Sequence, residues 1–241
     1  MTLTYRIVNT IFKGILRALC RVDDSEWHKV PEKGPLLIVV NHINFIEVPM
    51  MVTHLMPRPL TGFVKSENWE KPLTRWLFNM WNAIPLRRGE ADLTAVRAGL
   101  AALADGQILA VAPEGTRTGD GRLQQGHPGI VTMALKGKAT ILPIAYFGNE
   151  IFWQNIKRLR RTDFYLRVGR PFMLELGDGR PTKQIRQQMI DEIMYQIARL
   201  LPPQNRGHYA DLDAATEKYI HFIEDGGEGL GTGANSLTPT P

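Results

Sequence analysis

An α/β fold, with a mixed and mostly parallel sheet covered by helices, is predicted from three features of the chain. Short, continuously apolar runs such as LLIVV at 36–40 read as strands buried on both faces. Segments of helical periodicity separate them, and polar loops rich in His, Glu, Gly and Arg follow directly where strands end.

Taken in order, residues 3–20 form an amphipathic helix. At about 100° per residue, Leu3, Ile7, Val8, Ile11, Phe12, Ile15 and Leu19 sweep a broad apolar arc opposite Arg6, Lys13 and Arg17. The helix either packs on its own domain or lies in a membrane interface, with its apolar arc at acyl level and its cations at the headgroups. The strand at 36–40 leads into the loop NHIN and a helix over about 48–56, with Pro49 tolerated in the first turn. GFVK at 62–65 reads as a strand, 72–81 as a helix, 83–86 (AIPL) as a strand, 92–104 as a helix and 108–112 (ILAVA) as a strand. A helix over 129–136 follows, then strands TILPIAYF and FYLRV (164–168), and a helix over 183–201. Residues 211–224 read as one more short helix. Pro143 inside an apolar strand argues for an edge or a bulge. The expected division is an amphipathic helix at 1–22, membrane-associating in its interfacial reading, one α/β domain at 23–224 and a disordered tail at 225–241, where Gly, Thr, Ser and Pro dominate.

Composition narrows the function. The 241 residues carry 29 Lys and Arg against 24 Asp and Glu, a net charge of +5, and 44% hydrophobic residues, enough for a packed core. Cys20 stands alone, which excludes an intrachain disulfide and a multi-cysteine zinc site. No apolar run reaches the roughly 20 residues of a bilayer span, and neither a secretory nor a lipoprotein signal is formed at the N-terminus. No G-x-x-x-x-G-K-[ST] or G-x-G-x-x-G is present, so nucleotide chemistry has no support.

Two loops carry chemistry. In NHINFIE (Asn41 to Glu47), His42 is a candidate general base, because neutral imidazole titrates near working pH. Glu47 is its candidate partner, able to fix the tautomer if the chain turns between them. Taken alone, that pattern also describes a loop histidine and a glutamate that suits a helix N-terminus. In APEGTRT (Ala112 to Thr118), Gly115 allows close backbone approach, the Gly115 and Thr116 amides can face an anion, and Arg117 supplies a planar fork for phosphate oxygens. NAIPLRRG (Asn82 to Gly89) delivers Arg87 and Arg88 to a further loop.

In this order, NHINFIE, NAIPLRR, PEGTRT and LPI (Leu142 to Ile144) resemble the four blocks of the glycerolipid acyltransferase family that includes 1-acylglycerol-3-phosphate acyltransferases. The resemblance covers about 36–148. It implies His42 as base with Glu47 behind it, acceptor binding by Glu114, Gly115, Thr116 and Arg117, and a phosphate contact from Arg88. It further implies acyl transfer from a thioester to the free hydroxyl of lysophosphatidic acid, another lysolipid or glycerol-3-phosphate. The donor is acyl-CoA or an acyl carrier protein, and no metal, cofactor or nucleic acid takes part. The setting would be the cytoplasmic face of a membrane, with the protein peripheral or monotopic. Three positions depart from the family pattern: Glu47 replaces an aspartate, Asn82 a glycine, and His127 stands near a usual lysine. A lipid-binding module without catalysis and a thioesterase are the competing classes.

Overall fold

The computed structural model describes residues 2–87, 92–177 and 179–223. The chain opens with α1 (Leu3–Leu19), whose first turn is capped by Thr2: its hydroxyl accepts the Tyr5 amide at 3.2 Å. Then follow β1 (Cys20–Asp23), β2 (Leu36–Val40), α2 (Glu47–His54), β3 (Leu60–Lys65), α3 (Pro72–Met80), β4 (Ile84–Leu86), α4 (Leu93–Ala104) and β5 (Ile108–Val111). The second half runs α5 (Gly129–Gly137), β6 (Thr140–Phe147), α6 (Phe152–Lys157), β7 (Thr162–Val168), β8 (Phe172–Leu174), α7 (Lys183–Leu200) and β9 (Ile220–Phe222).

The strands form one sheet in the order β1-β7-β6-β2-β5-β3-β4, with β8 on β6 and β9 on β8. Pairing is parallel from β6 through β2, β5 and β3 to β4, and between β1 and β7. It is antiparallel for β6–β7, β6–β8 and β8–β9. The alternation of β2 feeds two cores. Leu37 and Val39 join residues of α4, α5 and α7 on one face, while Leu36, Ile38 and Val40 join Leu16 of α1, Met50 of α2 and Phe152 of α6 on the other. Both faces are covered, so β2 is apolar without interruption.

Several expectations change. β1, α6, β8 and β9 were not anticipated, because segments of three to six residues such as CRVD and FML carry too few periods to read. Residues 211–223, the described part of the segment expected as a helix, do not form an α-helix. A short 3-10 turn at Leu212–Ala214 is followed by β9, whose Ile220 and Phe222 pack against the core beneath α7. The boundary drawn at residue 22 falls inside β1. Pro143 lies in an inner strand, paired with Val39 of β2. On its other side the neighbour changes from β8 at Ile141 to β7 at Ile144, and the Pro143 carbonyl accepts the Gly169 amide at 2.9 Å. The missing N–H therefore falls in a break of the ladder. The expected tail, 225–241, lies outside the described residues.

α1 combines both readings of its sequence. Asn9 and Leu16 are buried and Phe12 packs on Trp81, whereas Leu3, Ile7, Ile11, Ile15 and Leu19 form an exposed stripe at four-residue spacing. The apolar arc is thus wide enough to dock the helix and leave a greasy edge.

Candidate active site

β2 ends at Val40, and the next residue extends the sheet with its side chain. The Asn41 amide donates to the Tyr146 carbonyl at 2.8 Å and its oxygen accepts the Tyr146 N–H at 2.7 Å. The backbone is thereby released to turn. Asn44 makes that turn: its oxygen accepts the Ile46 amide at 3.0 Å and its NH2 donates to the Asn149 carbonyl at 2.8 Å. Glu47 returns as the first residue of α2, where the helix N-terminus favours a carboxylate.

The expected pair is formed. His42 Nδ1 lies 2.6 Å from Glu47 Oε2. The Glu47 carboxylate is buried and also accepts the Asn44 amide at 2.9 Å, the Ile43 amide at 3.2 Å and the Asn149 Nδ2 group at 2.7 Å. With the other donors fixing the carboxylate as an acceptor, the pair is formed as His42 Nδ1–H donating to Glu47, which leaves Nε2 as the free ring nitrogen. Asn149 was not recognised in the sequence, since it lies 102 positions from Glu47. Gly148 brings it there at φ +90°, and a side chain at that glycine would strike the Asp163 carbonyl.

The PEGTRT loop is stitched to the histidine loop. Thr118 N–H donates to the His42 carbonyl at 2.8 Å and Gly119 N–H to the Ile43 carbonyl at 3.1 Å. Glu114 corrects the acceptor-binding assignment. It is buried behind His42, one oxygen accepting the His42 amide at 3.0 Å and the other the Gln124 amide at 2.8 Å. Burial pushes its carboxyl up to about 7, against the opposing pull of those two amides. It holds two loops together and has no surface to offer a substrate. Gly115, at φ +68°, makes the turn, and its amide is spent on the Ala112 carbonyl at 3.0 Å. His127 packs against this glycine, 3.1 Å from where a Cβ would stand.

Two cavities meet at His42. One, of about 120 Å³, is walled by Met51 and Val52 of α2, Phe63 of β3, Phe78 of α3 and the buried Trp81, with His42 and Glu47 in its lining. The second, of about 330 Å³, is lined by His42, Lys65, Asn68, Thr116 and Arg117. Thr116 and Arg117 thus share a cavity with His42. Lys65, at the end of β3, is an addition, and its Nζ lies 2.8 Å from Glu67. Arg88 lies outside the described residues. Asn82 adopts φ +53°, so it meets the left-handed requirement of a position where the resembling family has glycine. Among the described residues, no group of three or more His, Cys, Asp or Glu side chains is placed to hold a metal ion.

Comparison with known proteins identifies the fold and the family. A crystal structure of the 1-acyl-sn-glycerophosphate (LPA) acyltransferase PlsC from Thermotoga maritima shares the fold, with a TM-score of 0.56 and 19% identity over 78% of this chain and 76% of that one. The lyso-ornithine lipid O-acyltransferase of Pseudomonas aeruginosa is 31% identical over 114 residues, 47% of this chain and 43% of that protein. The 1-acyl-sn-glycerol-3-phosphate acyltransferase of Bacillus subtilis is 25% identical over 145 residues, 60% of this chain and 71% of its own length. The aligned region thus spans less than half of the Pseudomonas relative. Residues 21–147 match the acyltransferase family model, and that stretch holds β2, the His42–Glu47 pair and the PEGTRT loop. With more than half of its 241 residues inside that match, the chain belongs to the acyltransferase family.

Proposed function

We propose that this protein is a glycerolipid O-acyltransferase that moves a fatty acyl group from a thioester to the free hydroxyl of lysophosphatidic acid, forming phosphatidic acid. The observation that carries the reading is the position of His42, oriented by Glu47 at 2.6 Å and shared by an apolar cavity and a cationic one. The apolar cavity suits an acyl chain, and the cationic one suits a phosphate held by Arg117 and Lys65. His42 Nε2 takes the hydroxyl proton as the oxygen attacks the thioester carbonyl. A C–O bond forms, the C–S bond breaks as the intermediate collapses, and the imidazolium returns its proton to the leaving thiolate. Glu47 offsets the imidazolium charge during the step.

A covalent acyl-enzyme is unnecessary. Cys20 is buried, and burial pushes its thiol up to about 11, which leaves it a poor nucleophile. The donor is acyl-CoA or acyl carrier protein. Among the described residues no helix is long and apolar enough to cross a membrane, and the exposed stripe of α1 suits peripheral or monotopic attachment at the cytoplasmic face.

One observation favours a second acceptor. Lys65 and Glu67 set opposite charges side by side next to the cationic cavity, an arrangement that suits a zwitterionic headgroup such as that of a lyso-ornithine lipid. Purified protein incubated with one labelled acyl thioester and a panel of lysophosphatidic acid, glycerol-3-phosphate and lyso-ornithine lipid separates the readings. Labelled phosphatidic acid is the expected product. Labelled ornithine lipid alone would transfer the assignment, and labelled free fatty acid alone would make the protein a thioesterase.

A further inference from the structure

The turn that ends α6 reads KRLRR, Lys157 to Arg161. It is a well-made turn: Arg158 and Arg160 N–H both donate to the Asn155 carbonyl, at 3.0 and 2.9 Å, and Leu159 N–H donates to Ile156 at 3.0 Å. Leu159 occupies the left-handed position after the helix at φ +51°, where glycine is the ordinary choice, and its side chain is 97% exposed. A leucine there is unfavourable twice over, in backbone conformation and in apolar surface left in water, with no packing in return. Lys157, Arg158 and Arg160 around it are exposed, and among the described residues none of the three pairs with a carboxylate.

The turn is also fixed in place. Arg161, itself exposed, reaches back to α1 and donates to the Arg17 and Cys20 carbonyls, at 2.7 and 2.6 Å, capping the C-terminus of that helix. These bonds and the pairing of Cys20 with Thr162 place the turn beside the end of α1, the helix whose stripe includes the exposed Ile15 and Leu19. One turn back along α6, the exposed Trp153 stacks on Phe45 with ring centroids 5.3 Å apart, and Phe45 belongs to the loop between His42 and Glu47.

We propose that the KRLRR turn, together with Trp153, is a second lipid-binding element that docks on an anionic bilayer surface. Leu159 enters the acyl region, Lys157, Arg158 and Arg160 meet the headgroup charge, and Trp153 sits at the interface with Phe45. The charge complementarity selects anionic lipid, and continuity with the α1 stripe selects a planar surface. The catalytic loop is then held at the interface from both sides. This inference rests on the reading that the enzyme works at a bilayer, and extends it beyond α1.

The test is flotation of the full chain with vesicles of phosphatidylcholine alone or with added phosphatidylglycerol, for Leu159→Gly, for the double variant Arg158→Glu/Arg160→Glu, and for Ile11→Ser on α1. The double variant is expected to lose at least about 25-fold in partition onto anionic vesicles, given about fivefold for each of two lost cations, and to lose little on neutral ones. Leu159→Gly should lose roughly tenfold on anionic vesicles while its melting temperature holds or rises, since glycine suits φ +51°. Turnover of a short-chain soluble acceptor should be unchanged in both. Wild-type partition by both variants while Ile11→Ser detaches would overturn this proposal and leave the bilayer reading standing. Wild-type partition by all three would overturn this proposal as well, and failure of the unmutated chain to float with either vesicle would overturn the bilayer reading itself. Loss of binding to an acidic carrier protein with vesicle binding intact would make the turn a protein dock and reject the proposal.

Discussion

The two faces of the sheet are covered by helices in different ways. On the face of α4, α5 and α7, apolar side chains are spent inward: Met189, Ile190, Ile193, Met194 and Ile197 of α7 are fully buried, and Leu93 is the large apolar side chain that α4 leaves in solvent. On the face of α1, α2 and α6, a second buried core is roofed by elements that keep apolar groups outside, from Ile7, Ile11 and Ile15 to Phe45, Trp153 and Leu159. His42 and Glu47 belong to this second layer, in the loop entering α2. One face therefore supplies stability, while the other gives up some burial to keep surface available for contacts.

The sharpest way to break this comparison is to injure each face once. His42→Ala should lower kcat by about 10² to 10⁴-fold with an unchanged melting temperature. Ile193→Ala should cost about 2–5 kcal/mol of stability and leave kcat intact at temperatures where the protein is folded. Urea titration together with turnover checks both, and a stable Ile193 variant with lost activity would show that the faces are not separable. Next in size, Arg117→Ala should raise KM for a phosphate-bearing acceptor by about 1.5–3 kcal/mol and change KM for the acyl donor little. Equal losses on both substrates would make Arg117 a structural residue.

A third experiment concerns Asn149, which completes the cage around a glutamate where the resembling family has aspartate. Asn149→Ala should lower kcat about tenfold, the worth of one charge-assisted hydrogen bond, with both KM values held. In a Glu47→Asp background the shorter carboxylate withdraws from Asn149, so the same change should cost less than about twofold. A tenfold loss in both backgrounds would remove Asn149 from the Glu47 cage. The last test reads a pH slope rather than turnover, in Glu114→Gln, where one of the two backbone amides also loses its acceptor. Because burial raises this carboxyl from 4.5 to about 7, the native state holds a proton that the unfolded chain releases. Its contribution to stability is complete below about pH 4.5 and declines as pH rises toward about 7. Replacement by glutamine should flatten that slope, by roughly a few degrees of Tm across the window.

Much of this was legible because the signals were local. The strands LLIVV and TILPIAYF, the His42–Glu47 pair and the Thr116–Arg117 end of PEGTRT are each read within a few residues. What escaped depends on distance along the chain. Asn41 pairs with Tyr146 and Asn44 with Asn149, each across 105 positions, and neither side-chain type announces such a partner. Glu114 was misassigned because a motif shows which residues recur and not which way they point. The helix expected at 211–224 gave way to β9 because β8 offers an open edge there, a tertiary opportunity that overrides weak local preference.

The seam between the two motif loops fixes a length. His42 is held at its amide by Glu114 and at its carbonyl by Thr118, so the imidazole and the Arg117 backbone ride on one rigid piece of chain. Base and cation then act like the jaws of a caliper. An acceptor is gauged by the span between its anionic group and its hydroxyl, and a molecule of the wrong span is bound yet slow to react. For the proposed reaction, regioselectivity is thus a property of the seam, and loosening it should scramble which hydroxyl is acylated before it weakens binding.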